Sequence, residues 1–94
     1  MSYVEVEQFA LREGVGREAF LAADAALQEW CYLARPGLAR RTTAFAADGE
    51  VLVTTLLFGS SSTAPAPPLS EAARALAELI DATSYRKVVY DLLD

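Results

Sequence analysis

Asp48-Gly49 stands between two β-prone runs, "LARRTTAFA" and "EVLVTTLLF". An Asp-Gly pair in that setting is the strongest short-range signal for a β-hairpin. Strands are therefore predicted at about 38–46 and 50–58. Upstream, "YVEVEQFAL" alternates, with Val4 and Val6 on one side and Glu5 and Glu7 on the other. A period of two marks a strand. "REGVG" breaks that strand, and from Arg17 the period changes. Phe20, Ala23, Leu27, Trp30 with Cys31, and Ala34 recur at helical spacing. Gly16 serves as N-cap, Glu18 suits the positive helix end, and Pro36 disfavours helical geometry at Arg35. Downstream, Leu69, Ala72, Ala73, Leu76, Leu79 and Ile80 repeat helically behind a capping Ser70. "DATS" at 81–84 reads as a turn and "YRKVVYDLL" as a last strand.

The order β-α-β-β-α-β is the pattern of an α+β, ferredoxin-like fold: a four-stranded antiparallel sheet with both helices on one face. At 94 residues the chain is of single-domain size. With the helices placed over Val4 and Val6, the expectation is that Glu5, Glu7 and Phe9 point to the bare face. Leu52, Thr54, Leu56, Phe58 and Val89 or Tyr90 are expected there too. A bare face so apolar needs cover, and a homodimer packed sheet on sheet is the simplest way to supply it.

Composition removes several function classes. A net charge of −5 is poorly suited to binding phosphates, so no nucleic-acid partner is expected. The basic doublets Arg40-Arg41 and Arg86-Lys87 read as charges on strand surfaces. No apolar run approaches the roughly 20 residues of a membrane span. The N-terminal "MSYVEVEQF" has no basic segment followed by an apolar one, as a secretion signal has. One cysteine, Cys31, cannot form an internal disulfide, which points to the cytoplasm. No Cys/His metal spacing, Walker loop or dinucleotide glycine pattern occurs, and no cofactor is expected.

"VEVEQFALREGV" leading into "AFLAADAALQEW", then "RPGLARR", "DGEVLVTTLLFGS" and "LIDATS", in that order, resemble the dimeric α/β-barrel superfamily with its antibiotic-biosynthesis-monooxygenase-like proteins. The resemblance covers nearly the whole chain apart from 59–70. It implies a homodimer and a small aromatic or hydrophobic ligand. The reactions it implies are cofactor-free oxygenation or isomerisation. Relatives often carry an aromatic residue, commonly Trp, at the end of the third strand, where this chain reads Phe58-Gly59-Ser60. An acidic residue often seen in that strand is replaced by Thr54. The chain has no histidine, which argues against haem degradation and excludes histidine acid–base chemistry.

In the family the sheet lines a cavity. Glu5 and Glu7 are the candidate catalytic carboxylates there, because an apolar setting raises a carboxyl pKa and makes a better base. The plainer alternative leaves both solvated or paired with Arg40 or Arg41 across the sheet. Phe9, Trp30, Thr54, Phe58 and Tyr90 are the candidate ligand contacts. A Trp at helical spacing, such as Trp30, is usually a core residue, and a dimer interface is the more common use of residues such as Tyr85 and Tyr90. Without a histidine to lower its pKa, Cys31 is a poor nucleophile. A non-catalytic dimeric structural or accessory module is the alternative function.

"FGSSSTAPAPPLSEA" is not an interdomain linker, since the helix and strand after it complete the same sheet. Pro65, Pro67 and Pro68 forbid a regular helix and favour an extended polyproline-like path. Residues 59–69 are expected to form a flexible loop over one mouth of the fold.

Overall fold

The computed structural model describes residues 1–66 and 69–93. Strand β1 (Ser2–Phe9) leads through helix α1 (Arg17–Ala34) to the hairpin of β2 (Leu38–Phe45) and β3 (Val51–Phe58). Helix α2 (Glu71–Ala77), a 3-10 turn (Ala82–Ser84) and strand β4 (Arg86–Asp91) follow. The sheet order is β2-β3-β1-β4 and every neighbouring pair is antiparallel. This is the ferredoxin-like arrangement expected from the element order.

Local signals act where the sequence places them. In the hairpin, Ala46 N–H donates to Glu50 C=O at 2.8 Å, Asp48 Oδ1 accepts from Glu50 N–H at 2.9 Å, and Gly49 takes φ +90°. That left-handed backbone is one that glycine adopts without strain. Helix α1 ends where Pro36 requires, and Gly37 then takes φ +81°. A Cβ on Gly37 would stand 2.7 Å from the Phe58 carbonyl oxygen. Ser70 Oγ accepts from Ala73 N–H at 3.0 Å and caps α2. This helix is shorter than its apolar spacing predicts. Leu79 and Ile80 continue it only as single turns, and Leu69 lies outside it, 85% exposed.

The core forms between the sheet and the helices. Phe9, Val51 and Val53 from the sheet meet Phe20 of α1, Leu76 of α2 and Ile80. Phe9 and Phe45 each meet Phe20 edge-on, with 5.8 Å between ring centroids.

One expectation is reversed. Phe9 and Glu5 are only 2% and 6% exposed because they point toward the helices. Val4 and Val6, paired across from Leu56 and Thr54, share the uncovered face. The reason lies in β3. "VLVTTLLF" is apolar on both faces, with Val51, Val53 and Leu57 under the helices and Leu52, Leu56 and Phe58 opposite. Alternation separates two sets of side chains without saying which set the helices cover. The uncovered face exposes Phe58 (66%), Tyr90 (53%) and Val88 (46%).

Residues 60–66 run as turn and coil, and Ser61 Oγ donates to Asp91 Oδ1 at 2.7 Å. The extended path expected at Pro67 and Pro68 lies outside the described residues.

Candidate functional site

Between the helix-facing side of the sheet and the helices lies a cavity of about 160 Å³. Glu5, Glu7 and Phe9 supply its floor from β1, with Arg41, Val53, Thr55 and Lys87 from the other strands. Leu27, Trp30, Cys31 and Arg35 of and just beyond α1, with Ala73, Leu76 and Ile80, close it. Two neighbouring pockets share part of its lining. Past Arg35 and Glu5 lies a cleft of about 370 Å³ bounded by Tyr3, Ser61, Ala64, Pro65, Ala66 and Val89. Past Glu7 lies an apolar crevice of about 390 Å³ bounded by Leu27, Ala73, Leu76, Ala77, Ile80, Ala82 and Tyr85.

The two carboxylates of β1 sit in different surroundings. Arg35 grips Glu5 with both terminal nitrogens, Nη1 to Oε1 at 2.8 Å and Nη2 to Oε2 at 3.1 Å. Lys87 Nζ adds a second cation 3.5 Å from Oε2. Burial alone would raise the Glu5 pKa, but the Arg35 hydrogen bonds and charge, with Lys87 behind them, outweigh it and hold the carboxyl below its ordinary value. The raised pKa expected for Glu5 is therefore corrected. Its partners are Arg35 and Lys87, not Arg40 or Arg41. Arg41 is committed elsewhere, its Nη2 lying 2.7 Å from the buried Asp24, which also accepts from Thr43 Oγ1 at 2.7 Å.

Among the described residues Glu7 makes no ion pair. Its Oε2 accepts the Tyr85 hydroxyl at 2.5 Å, and the Tyr85 ring stacks on Phe9 with 6.1 Å between centroids. Burial first, and then the Glu7 hydrogen bond and charge, push the phenol pKa well up. Tyr85 is thus a fixed donor that holds one oxygen of Glu7, and Oε1 has no partner among the described residues. Cys31 is buried and its thiol is pushed up by that burial, with Arg41 and Arg35 opposing, so it stays protonated.

The predicted ligand contacts divide between the two faces. Phe9 and Trp30 line the cavity with Glu5 and Glu7. Thr54, paired with Val6 and Thr42, lies on the opposite face of the sheet, as do Phe58 and Tyr90. These three share no site with the carboxylates. The sequence marked Arg35 only as the end of the helix, and it read Lys87 and Arg41 as strand-surface charges, whereas both line the cavity and Arg41 is buried. Arg35 follows the last helical residue, where Pro36 turns the chain back over the sheet. Lys87 is the cross-strand neighbour of Glu7. That alternation places Lys87 beside the carboxylates was available once their own face was known.

No protein-family model matches this chain, and no curated protein matches it. Two solved structures do. SnoaB, a cofactor-independent oxygenase from Streptomyces nogalater, superposes with a TM-score of 0.77 at 14% identity, over 99% of this chain and 94% of SnoaB. The fold is of the antibiotic-biosynthesis-monooxygenase type. A second protein, Rv0793 from Mycobacterium tuberculosis, superposes with a TM-score of 0.74 at 18% identity, over 100% of this chain and 97% of its own. At these identities the monooxygenase-type fold is what is shared. Among the described residues no helix is long and apolar enough to cross a membrane, and no cluster of His, Cys, Asp or Glu could hold a metal ion.

Proposed function

We propose that this chain is a homodimer, paired sheet on sheet, that binds a small aromatic or hydrophobic ligand between its sheet and its helices. The observation carrying this is the inner cavity, where Phe9, Leu27, Trp30, Leu76 and Ile80 share the lining with a carboxylate, Glu7, that makes no ion pair among the described residues. An apolar wall with a few convergent polar groups is the usual make-up of a small-molecule site. Of the two candidate catalytic carboxylates, Glu7 is the base and Glu5 a counter-ion. Glu7 Oε1 takes a proton from an acidic O–H or C–H of the ligand, and Tyr85 holds Oε2. If dioxygen is the oxidant, a CH2 becomes C=O and the second oxygen leaves as water. In an isomerisation the proton returns at another carbon. Neither reaction calls for a cofactor, in keeping with what SnoaB is described as doing. A cytoplasmic location belongs to the same proposal and rests on the lone cysteine.

Dimerisation rests on the uncovered face with Phe58, Val88 and Tyr90. Leu56→Asp, at the centre of that face, is expected to give a folded monomer by light scattering where the parent chain has twice that mass. A monomeric parent at micromolar concentration would sink the sheet-on-sheet pairing. For the ligand, a panel of small aromatics is screened by thermal shift, since a compound that binds only the folded chain raises its melting temperature. No shift with any compound would leave the alternative, a non-catalytic dimeric module. The Glu5–Arg35 pair favours that alternative, because it spends one candidate base on structure.

A further inference from the structure

Arg35 and Lys87 place two cations against one carboxylate, Glu5, on a wall where the inner cavity meets the cleft beneath residues 61–66. The other cation of the wall, Arg41, is matched by Asp24. The other anion, Glu7, lies two residues along β1, roughly 7 Å away at strand spacing, and carries the Tyr85 hydrogen bond. The cavity is therefore polarised, with surplus positive charge at the Arg35 end and an acceptor with a free oxygen at the Glu7 end. The bidentate fork on Glu5 leaves the Arg35 Nε–H and one hydrogen on each terminal nitrogen unspent. Lys87 has further donors, lines the inner cavity and is partly exposed.

Size narrows the ligand further. A cavity of about 150 Å³ lined by apolar side chains accommodates benzene, and this one holds about 160 Å³ with Trp30 in its wall. That is room for one ring.

Resting on the ligand-binding function proposed above, we infer that the site takes a single-ring aromatic acid. Its carboxylate lies against Arg35 and Lys87, and a hydroxyl across the ring donates to Glu7 Oε1. The roughly 7 Å between Glu5 and Glu7 along β1 is comparable to the separation of para substituents on one ring. Arg35 and Lys87 are then specificity-determining residues, and Glu5 keeps them in place while the site is empty.

The test is isothermal titration of the full chain with 4-hydroxybenzoate, its methyl ester, benzoate and the two-ring 6-hydroxy-2-naphthoate. Charge-assisted hydrogen bonds of the kind assigned here amount to about tenfold or more in affinity. 4-Hydroxybenzoate is expected to bind at least about tenfold more tightly than its methyl ester by that measure. It is also expected to bind more tightly than benzoate and the naphthoate. Lys87→Met, at a partly exposed position, should reduce the preference for acid over ester. Glu7→Leu should remove the preference for 4-hydroxybenzoate over benzoate. An ester that binds as well as the acid, a preference that survives Lys87→Met, or a naphthoate that binds best would overturn the inference and leave the ligand-binding function standing. If none of the four compounds binds at millimolar concentration, the inference is overturned, while the ligand-binding function is judged by the wider thermal-shift panel. The comparison of acid with ester on the parent chain decides the matter even if Lys87→Met does not fold.

Discussion

The two faces of this sheet are built from the same strands by the same alternation, yet they do different work. Toward the helices, apolar residues close a core and charged residues are drawn inward around a cavity: Glu5 with Arg35 and Lys87, Asp24 with Arg41, Glu7 with Tyr85. Among the described residues no buried side-chain nitrogen or oxygen on either side lacks a partner. Burying a charge is tolerated only when it is paired and hydrogen-bonded, and each of the buried charges here is. The other face carries Val4, Val6, Leu52, Leu56, Phe58, Val88 and Tyr90 around Thr54, with no helix above them. Charge inside and hydrocarbon outside is the inverse of an isolated globular domain. It is understandable if the outer face is itself an interior in the assembled protein.

The largest expected contrast is between two phenylalanines. Phe20→Ala empties the centre of the core, where Phe20 touches Phe9 and Phe45, and should cost about 3–5 kcal/mol in urea unfolding. Phe58→Ala, on the outer face, should change the stability of the isolated chain by only about 0.5 kcal/mol while weakening self-association. Equal losses for the two variants would break the distinction between the faces.

Arg35→Met should come next. It leaves Glu5 buried with Lys87 as its remaining cation, an expected loss of about 2–3 kcal/mol near neutral pH. The sign of its pH dependence follows from Glu5. The folded-state pKa is held below the ordinary 4.5, so the pairing contributes its full stability above that value and loses it as pH falls through the lowered folded pKa. The deficit of Arg35→Met relative to the parent chain should accordingly shrink below pH 4.5. A deficit that is constant down to pH 2 would assign the loss to packing of the arginine stem instead.

Tyr85→Phe should cost less than Arg35→Met, about 0.5–1.5 kcal/mol for one hydrogen bond near the surface. Its effect should appear in ligand turnover, since it frees Glu7 Oε2 without disturbing Phe9. Unchanged turnover would remove Tyr85 from the site.

Much of this architecture was legible in the residues. Asp48-Gly49, Pro36 and the Ser70 cap each act through local backbone chemistry, and each acts where the sequence places it. The helical stripe from Phe20 to Cys31 likewise names its own buried side. The site was legible only in part. Glu5, Glu7, Phe9 and Trp30 were all marked, but their common location was not, because β1 offers two apolar-looking faces: Val4 with Val6, and Tyr3 with Phe9. Which face the helices cover depends on whether Glu5 is neutralised once it is buried. Arg35 and Lys87, distant in sequence, do that neutralising. Thr54, Phe58 and Tyr90 were grouped with the carboxylates by the same reversal.

The most direct measurement follows the backbone amides and the Trp30 indole by two-dimensional NMR while methyl 4-hydroxybenzoate, a neutral single-ring probe, is added. Binding between sheet and helices should move the Trp30 indole and the amides of Glu5 through Phe9 and Lys87 together. Shifts confined to residues of the outer face, such as Leu52, Thr54, Leu56 and Tyr90, would contradict the assignment of the ligand site to the helix-covered side.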